Sequence, residues 1–127
     1  MMSAHAEIKQ VIGDYLDGLH YADVDRLSNV FHPKAVYATA DEAEPLIRTM
    51  SDYFVVVASR VSPASRNEPR KDAIDRIEVA GENTATARVR CRMGDRDFVD
   101  FLSLIRTSGE WRIISKTFQI IERTEGG

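Results

Sequence analysis

The sequence predicts an α+β domain, with helices first and an antiparallel meander last. Three observations carry this reading. Apolar residues recur at three- and four-residue steps through the first thirty positions, strict alternation runs from Thr84 to Met93, and turn signals separate the segments that follow. Helices and strands are segregated along the chain, whereas a parallel sheet would need them to alternate.

Ile8, Val11, Ile12, Tyr15, Leu16 and Leu19 form one stripe of an amphipathic helix, with Ser3 as its N-cap. Asp23 caps a second, short helix through about Val30, with Val24, Leu27 and Val30 inward. Phe31-His32-Pro33 stops that helix, because the residue before a proline avoids helical geometry. Lys34 to Ala40 reads as a short strand, and the acidic stretch Asp41 to Pro45 as a loop. The run from Ser51 to Arg60 pulls two ways. Its three consecutive valines favour a strand, but a polar cap at Thr49 or Ser51 and the length of the run favour a helix, which we assign. Ser62 to Pro69 is a polar loop.

The second half is read as strand throughout. Ile74, Ile77 and Val79 lead into a turn at Ala80-Gly81-Glu82-Asn83. Ala85, Ala87, Val89, Cys91 and Met93 then alternate with polar neighbours. Gly94-Asp95 and Ser108-Gly109 mark turns around strands at Phe98 to Arg106 and Trp111 to Ile121.

At 127 residues the chain suits one domain spanning 1–127, since half of it would be short of core. With 43% hydrophobic and 29% charged residues it has enough apolar side chain to fold and no signature of disorder. A net charge of -3 argues against a nucleic-acid surface, and no apolar run approaches the ~20 residues that cross a bilayer. Cys91 is the sole cysteine, so no internal disulfide is expected, and with no signal-type stretch at the N-terminus a cytoplasmic location is expected. His5, His20 and His32 lack partners at ligand spacing, and no glycine-rich phosphate loop is present, so neither metal nor cofactor is expected.

The first helix ends Tyr15-Leu16-Asp17-Gly18-Leu19-His20, Ala22-Asp23 opens the second, and Phe31-His32-Pro33-Lys34-Ala35 follows. The chain closes on Phe98 to Leu104 and on Gly109-Glu110-Trp111-Arg112-Ile113-Ile114-Ser115-Lys116. In this order the segments resemble the nuclear transport factor 2-like superfamily, and the closing pair resembles its "putative lumazine-binding" branch. The resemblance covers nearly the whole chain. It implies N-terminal helices packed on a strongly curved antiparallel sheet, a cone with an interior pocket for a small-molecule ligand, and a homodimer through the convex face. It does not imply one activity, because the superfamily holds isomerases, cyclases, dehydratases and noncatalytic binding modules.

Ketosteroid isomerases of this superfamily give a residue-by-residue test. Their helix-one tyrosine, which donates to the developing enolate, falls on Tyr15. Their aspartate base falls on Thr39, and their protonated oxyanion-hole aspartate on Ser103 or Leu104. A threonine hydroxyl is far too weak a base near neutral pH, so isomerase chemistry by that route is not expected.

Strand parity supplies a different candidate set. Val89, Cys91 and Met93 define the concave side, and an even loop at Gly94-Asp95 puts Phe98, Asp100, Leu102 and Leu104 there too. A three-residue, glycine-bulged turn at Ser108-Gly109 would add Ile114, Lys116 and Phe118, so that Asp100 and Lys116 face one another. A two-residue turn would send Lys116 outside. A buried carboxylate needs a partner, so this pair reads equally as structural or functional. Asp100 and Tyr15 are the candidate catalytic residues. Tyr15, Phe31, His32, Tyr37, Thr39, Asp100, Leu102, Lys116 and Phe118 are the candidate ligand contacts. Trp111 and Ile113, or alternatively their neighbours, are expected on the outer face as part of a dimer patch, and Arg88, Arg90 and Arg92 as a same-face row that is a charged dimer interface or a solvated face. The leading expectation is a noncatalytic or weakly catalytic small-molecule-binding protein. The alternatives are a lyase, cyclase or isomerase acting on a small cyclic or polyketide-like substrate, and a protein-interaction module.

Overall fold

The computed structural model describes residues 2–123. Helix α1 (Ala4–Tyr21) begins where Ser3 accepts a hydrogen bond from the Ala6 N–H. It ends at Ala22, whose left-handed backbone returns its N–H to Gly18 and Leu19. Helix α2 (Val24–Val30) is capped by Asp23, which accepts from the Arg26 N–H. The two helices meet at Gly18, where an added Cβ would lie 2.6 Å from the Leu27 side chain and force it to shift.

Strand β1 (Phe31–Thr39) starts before the expected Lys34. Pro33 is tolerated inside it because the ladder is irregular between Phe31 and Val36, and pairing with the outer neighbour begins only at Val36. That neighbour, β2 (Leu46–Thr49), is a strand the sequence reading left unassigned. Four residues, Leu46 and Arg48 half-buried and Ile47 and Thr49 exposed, are too few for periodicity to register. The Ser51 run is helical, as assigned: α3 (Met50–Ser59) is capped by Thr49 and buries Met50, Tyr53 and Val57.

Strands β3 (Ala73–Ala80), β4 (Thr84–Met93), β5 (Arg96–Thr107) and β6 (Glu110–Glu122) form the meander. The sheet order is β2-β1-β6-β5-β4-β3, with every pair antiparallel except β1 with β6, which is parallel. The sheet is therefore mixed rather than wholly antiparallel. Helix α3, between β2 and the meander, returns the chain across the sheet and so allows that one parallel pair.

Parity around the last hairpin is reached by a route the sequence reading did not foresee. The Ser108-Gly109 turn has two residues, both with positive φ (50° and 77°), and Thr107 pairs directly with Glu110. Alone, that turn would send Lys116 outside. A bulge restores the face: Leu104 pairs with Ile113 and Ser103 with Ser115, leaving Ile114 as the extra residue. Trp111 and Ile113, expected outside, consequently point inward and are buried, while Ile114 is only half-buried.

The core lies between the helices and the inward sheet face. α1 packs on β3 and β6, α2 on β1 and β6, and α3 on β1 and β2. No helix of the described residues is long and apolar enough to cross a membrane.

Candidate functional site

Two neighbouring rows cross the inward face. Arg48, Tyr37, Lys116, Leu102, Ala87 and Ile77 stand opposite one another from β2 to β3. Phe118, Asp100, Val89 and Ile74 form the next row. Lys116 and Asp100 are thus diagonal neighbours on adjacent strands, within reach of a long side chain.

Both are buried, Asp100 at 0% exposure and Lys116 at 4%. Tyr15, projecting from α1, donates its hydroxyl to Asp100 Oδ2 at 2.7 Å, and Lys116 Nζ lies 4.0 Å from the same oxygen. The ammonium sits among rings, 5.0 Å from the centre of Phe118, 5.1 Å from Tyr15, 5.2 Å from Tyr37 and 5.9 Å from Tyr53. Aromatic faces carry negative charge density, so this cage complements a cation that has lost its water. The cage is packed from behind. Tyr37 stacks on Tyr53 at 4.5 Å, and Phe31 meets Tyr15 and Tyr53 edge-on. Within this cluster two buried polar atoms, Asp100 Oδ1 and Tyr53 Oη, have no hydrogen-bond partner among the described residues.

Burial opposes the charge on Lys116, but the Asp100 carboxylate, with Tyr53 and Tyr37 behind it, outweighs that and holds the ammonium above the usual lysine range. Loss of solvation pushes the Tyr15 hydroxyl well above its ordinary value, and Asp100 adds to the rise. Tyr53 is raised by burial, with Lys116 and Arg60 pulling the other way. Cys91, on the neighbouring strand, is pushed up to about 12, chiefly by burial, which makes it an inert thiol near neutral pH.

The remaining expected contacts separate into two groups. Tyr37, Phe118, Leu102 and Phe31 join the buried cluster around Lys116 or the apolar core behind it. His32 and Thr39 do not. His32 is half-buried, and its Nδ1 accepts from the Lys34 N–H. Thr39 donates to the Phe118 carbonyl at 2.8 Å and accepts from the Asp41 N–H, so its hydroxyl ties the end of β1 to β6. Of the two positions matched to the isomerase oxyanion aspartate, Ser103 is exposed and Leu104 lies in the core. Tyr53 was missed as a site residue, although its spacing from Met50 and Val57 could have marked it as inward.

Two cavities flank this centre. One of about 540 Å³ lies beside the β4–β5 hairpin, with Lys71, Cys91 and Phe98 among its walls. The arginines on it are held by carboxylates: Arg70 by Asp17 and Asp72, Arg90 by Asp75, and Arg92 by Asp97. The other, about 330 Å³, opens between α3, the β1–β2 pair and the ends of β5 and β6. Tyr37, Phe98 and Phe118 form its aromatic wall, with Arg48, Arg60, Arg96 and Glu42 among its polar lining. Neither cavity is lined by Tyr15, Asp100 or Lys116. Tyr37 and Phe118 join the smaller one to the charged centre. Among the described residues, no three His, Cys, Asp or Glu side chains come together as a metal site.

Comparison with known proteins agrees with this architecture. A family model described as "Putative lumazine-binding" matches residues 3–119. Among curated proteins none matches. An NTF2-like protein of unknown function from Shewanella baltica superposes with a TM-score of 0.83 at 23% identity, over 95% of this chain and 98% of that one. One from Silicibacter pomeroyi, also of unknown function, gives 0.79 at 22%, over 95% and 100%. A ketosteroid isomerase-like protein from Erwinia carotovora atroseptica gives 0.73 at 12%, over 92% and 95%. At these identities the likeness is one of fold.

The raised values of Cys91, Tyr15, Tyr53 and Lys116 have one consequence for stability. In each case the folded state holds its proton at a pH where the unfolded chain has begun to lose it, so stability falls as pH rises. The fall should begin near the unfolded thiol value of 9.0 and steepen through the tyrosine and lysine values of 10.0 and 10.5. Urea midpoints measured from pH 7 to 11.5 should be level below about pH 8.5 and then decline. A midpoint that holds or rises above pH 10 would contradict the assignment.

Proposed function

The chain belongs to the "Putative lumazine-binding" family, and from that membership we propose that it binds a small ring-bearing molecule at the mouth between α3 and the sheet, without transforming it. One observation carries the reading. Tyr37 and Phe118 line the open cavity and also lie over the Lys116 ammonium, so a ligand in the mouth would stack on rings already held by the charged centre. A cavity of about 330 Å³ with an aromatic wall and a few polar groups has the size and character of a small-molecule site. The noncatalytic half of the proposal follows from Asp100, which is fully buried, bonded to Tyr15, close to Lys116 and absent from the cavity wall. A general base must reach the proton it removes, directly or through one water.

A second reading has its own support. Asp100 Oδ1 lacks a partner, and a substrate that parted Tyr37 from Phe118 would find there an acceptor beside a tyrosine donor. That would make the chain a lyase, cyclase or isomerase with Asp100 as acid or base and Tyr15 as donor. The two readings part on one variant. Val56 lines the mouth but lies outside the buried cluster, so Val56→Trp should fill the cavity while leaving Asp100 as it is. In ligand-observed NMR with a library of ring compounds, the binding reading expects mutually competing hits that Val56→Trp loses and Asp100→Asn keeps. Hits that survive Val56→Trp, or turnover that Asp100→Asn abolishes, would overturn it.

We infer as well a homodimer through the outer face of the sheet, although not on the residues first expected. With Trp111 and Ile113 turned inward, that face presents Phe101 at 58% exposure and Ile47 at 77%, with Val36 and Ile121 also exposed. Arg88 and Arg90, beside Phe101, are neutralised on one side by Asp75, which leaves the patch suited to a like surface. Light scattering at micromolar concentration should report twice 14.3 kDa, and Phe101→Asp should shift it to a monomer. A monomeric wild type would remove the claim.

A further inference from the structure

We propose that the mouth cavity selects organic anions, taking a ring-bearing monocarboxylate with its ring on Tyr37, Phe98 and Phe118 and its carboxylate on Arg48 and Arg60. This rests on the ligand-binding reading above and specifies the class of ligand. The argument begins with charge. Among the described residues, Arg26, Arg66, Arg70, Arg76, Arg88, Arg90, Arg92, Arg96, Arg112 and Arg123 each have a carboxylate partner. In a chain with a net charge of -3, such pairing is easily met. Arg48, Arg60 and Arg106 have no such partner among the described residues; Arg106 is exposed to solvent, whereas Arg48 and Arg60 are half-buried and both line this one cavity.

Their positions are set by the backbone. Arg48 stands directly opposite Tyr37 on the β1–β2 ladder, so it lies beside the aromatic wall. Arg60 is the C-cap residue of α3, and its guanidinium lies 6.0 Å from the centre of the Tyr53 ring, which itself stacks on Tyr37. The two thus approach one ring system from the strand side and the helix side. The single acid on the cavity wall, Glu42, is already bound at 2.7 Å by Arg96, which also holds Glu122. The wall therefore keeps two unneutralised guanidinium groups beside an aromatic surface. Planar guanidinium groups suit a carboxylate, with two parallel N–H donors to its two oxygens. The apolar part of the wall, with Leu46, Val56 and Ile120, would enclose the ring.

The decisive experiment is isothermal titration calorimetry with a panel of aromatic monocarboxylates, 2-naphthoate among them, each paired with its primary amide. The amide keeps ring and shape but not charge. Wild-type protein should bind the acids at least about tenfold more tightly than their amides, the discrimination expected when a charge-assisted hydrogen bond is lost. Arg48→Gln and Arg60→Gln should each weaken the acids by about that factor and leave the amides unchanged, with Arg48→Lys and Arg60→Lys in between. Circular dichroism melts on each variant confirm that the fold survives. Equal binding of acid and amide, or acid binding that both glutamine variants keep, would overturn the anion assignment while leaving the pocket reading intact. A panel in which neither acids nor amides bind would overturn both.

Discussion

A lysine ammonium taken out of water into a protein interior loses several kcal/mol of solvation, and it stays charged only if the surroundings replace what water supplied. Around Lys116 that replacement comes from one carboxylate oxygen at 4.0 Å and a set of rings within 6 Å. Much else in the structure follows from keeping this arrangement. Tyr15 fixes α1 over the sheet by donating to the same oxygen, adding to the helix's apolar contacts and to the Arg70–Asp17 ion pair. Tyr53 places α3 against β1 by stacking on Tyr37. The Ile114 bulge keeps Lys116 on the inner face after a turn that would have put it outside. Remove the bulge, and every side chain from Ser115 onward changes face.

This explains how much of the molecule could be read in the sequence. Regular periods and caps were legible: the α1 stripe, Ser3, Asp23, Thr49 and the even turn at Gly94-Asp95 all act locally, within a few residues. Asp100 could be placed for the same reason, since it is reached through one regular hairpin. The face of Lys116 could not, because it depends on two irregularities that cancel, a two-residue turn and a bulge. Ser108 gives no local sign that it will adopt a positive φ, and nothing in the Ile113-Ile114 pair marks which of the two is the extra residue. The same phase error misplaced Trp111 and Ile113. Arg48 escaped notice because β2 is too short to show a period. Thr39 matches a catalytic position only through resemblance to an enzyme, and its hydroxyl bonds the Phe118 carbonyl and the Asp41 N–H.

Separation between a sealed charged centre and an open aromatic mouth is what gives the functional reading its shape. The fold is shared with proteins of unknown function and with one described as ketosteroid isomerase-like, so it does not select an activity. The selection has to come from the side chains. Here the carboxylate that could do chemistry is held inside the protein, and the groups facing the cavity, rings and arginines, are suited to holding a ligand. Tyr37 and Phe118 stand between the two regions, lining the cavity and lying over the Lys116 ammonium.

The central claim is that Asp100 and Lys116 are a mutually dependent pair, each tolerable in the core because the other is there. A double-mutant cycle in urea denaturation at pH 7, with Lys116→Met, Asp100→Leu and the two combined, tests it most directly. Each single change should cost roughly 3–5 kcal/mol, since it strands a charge in a dry site, and the double variant should be less destabilised than the sum of the two singles by at least about 2 kcal/mol. Losses that simply add would show that the two charges do not depend on one another, and would contradict the account.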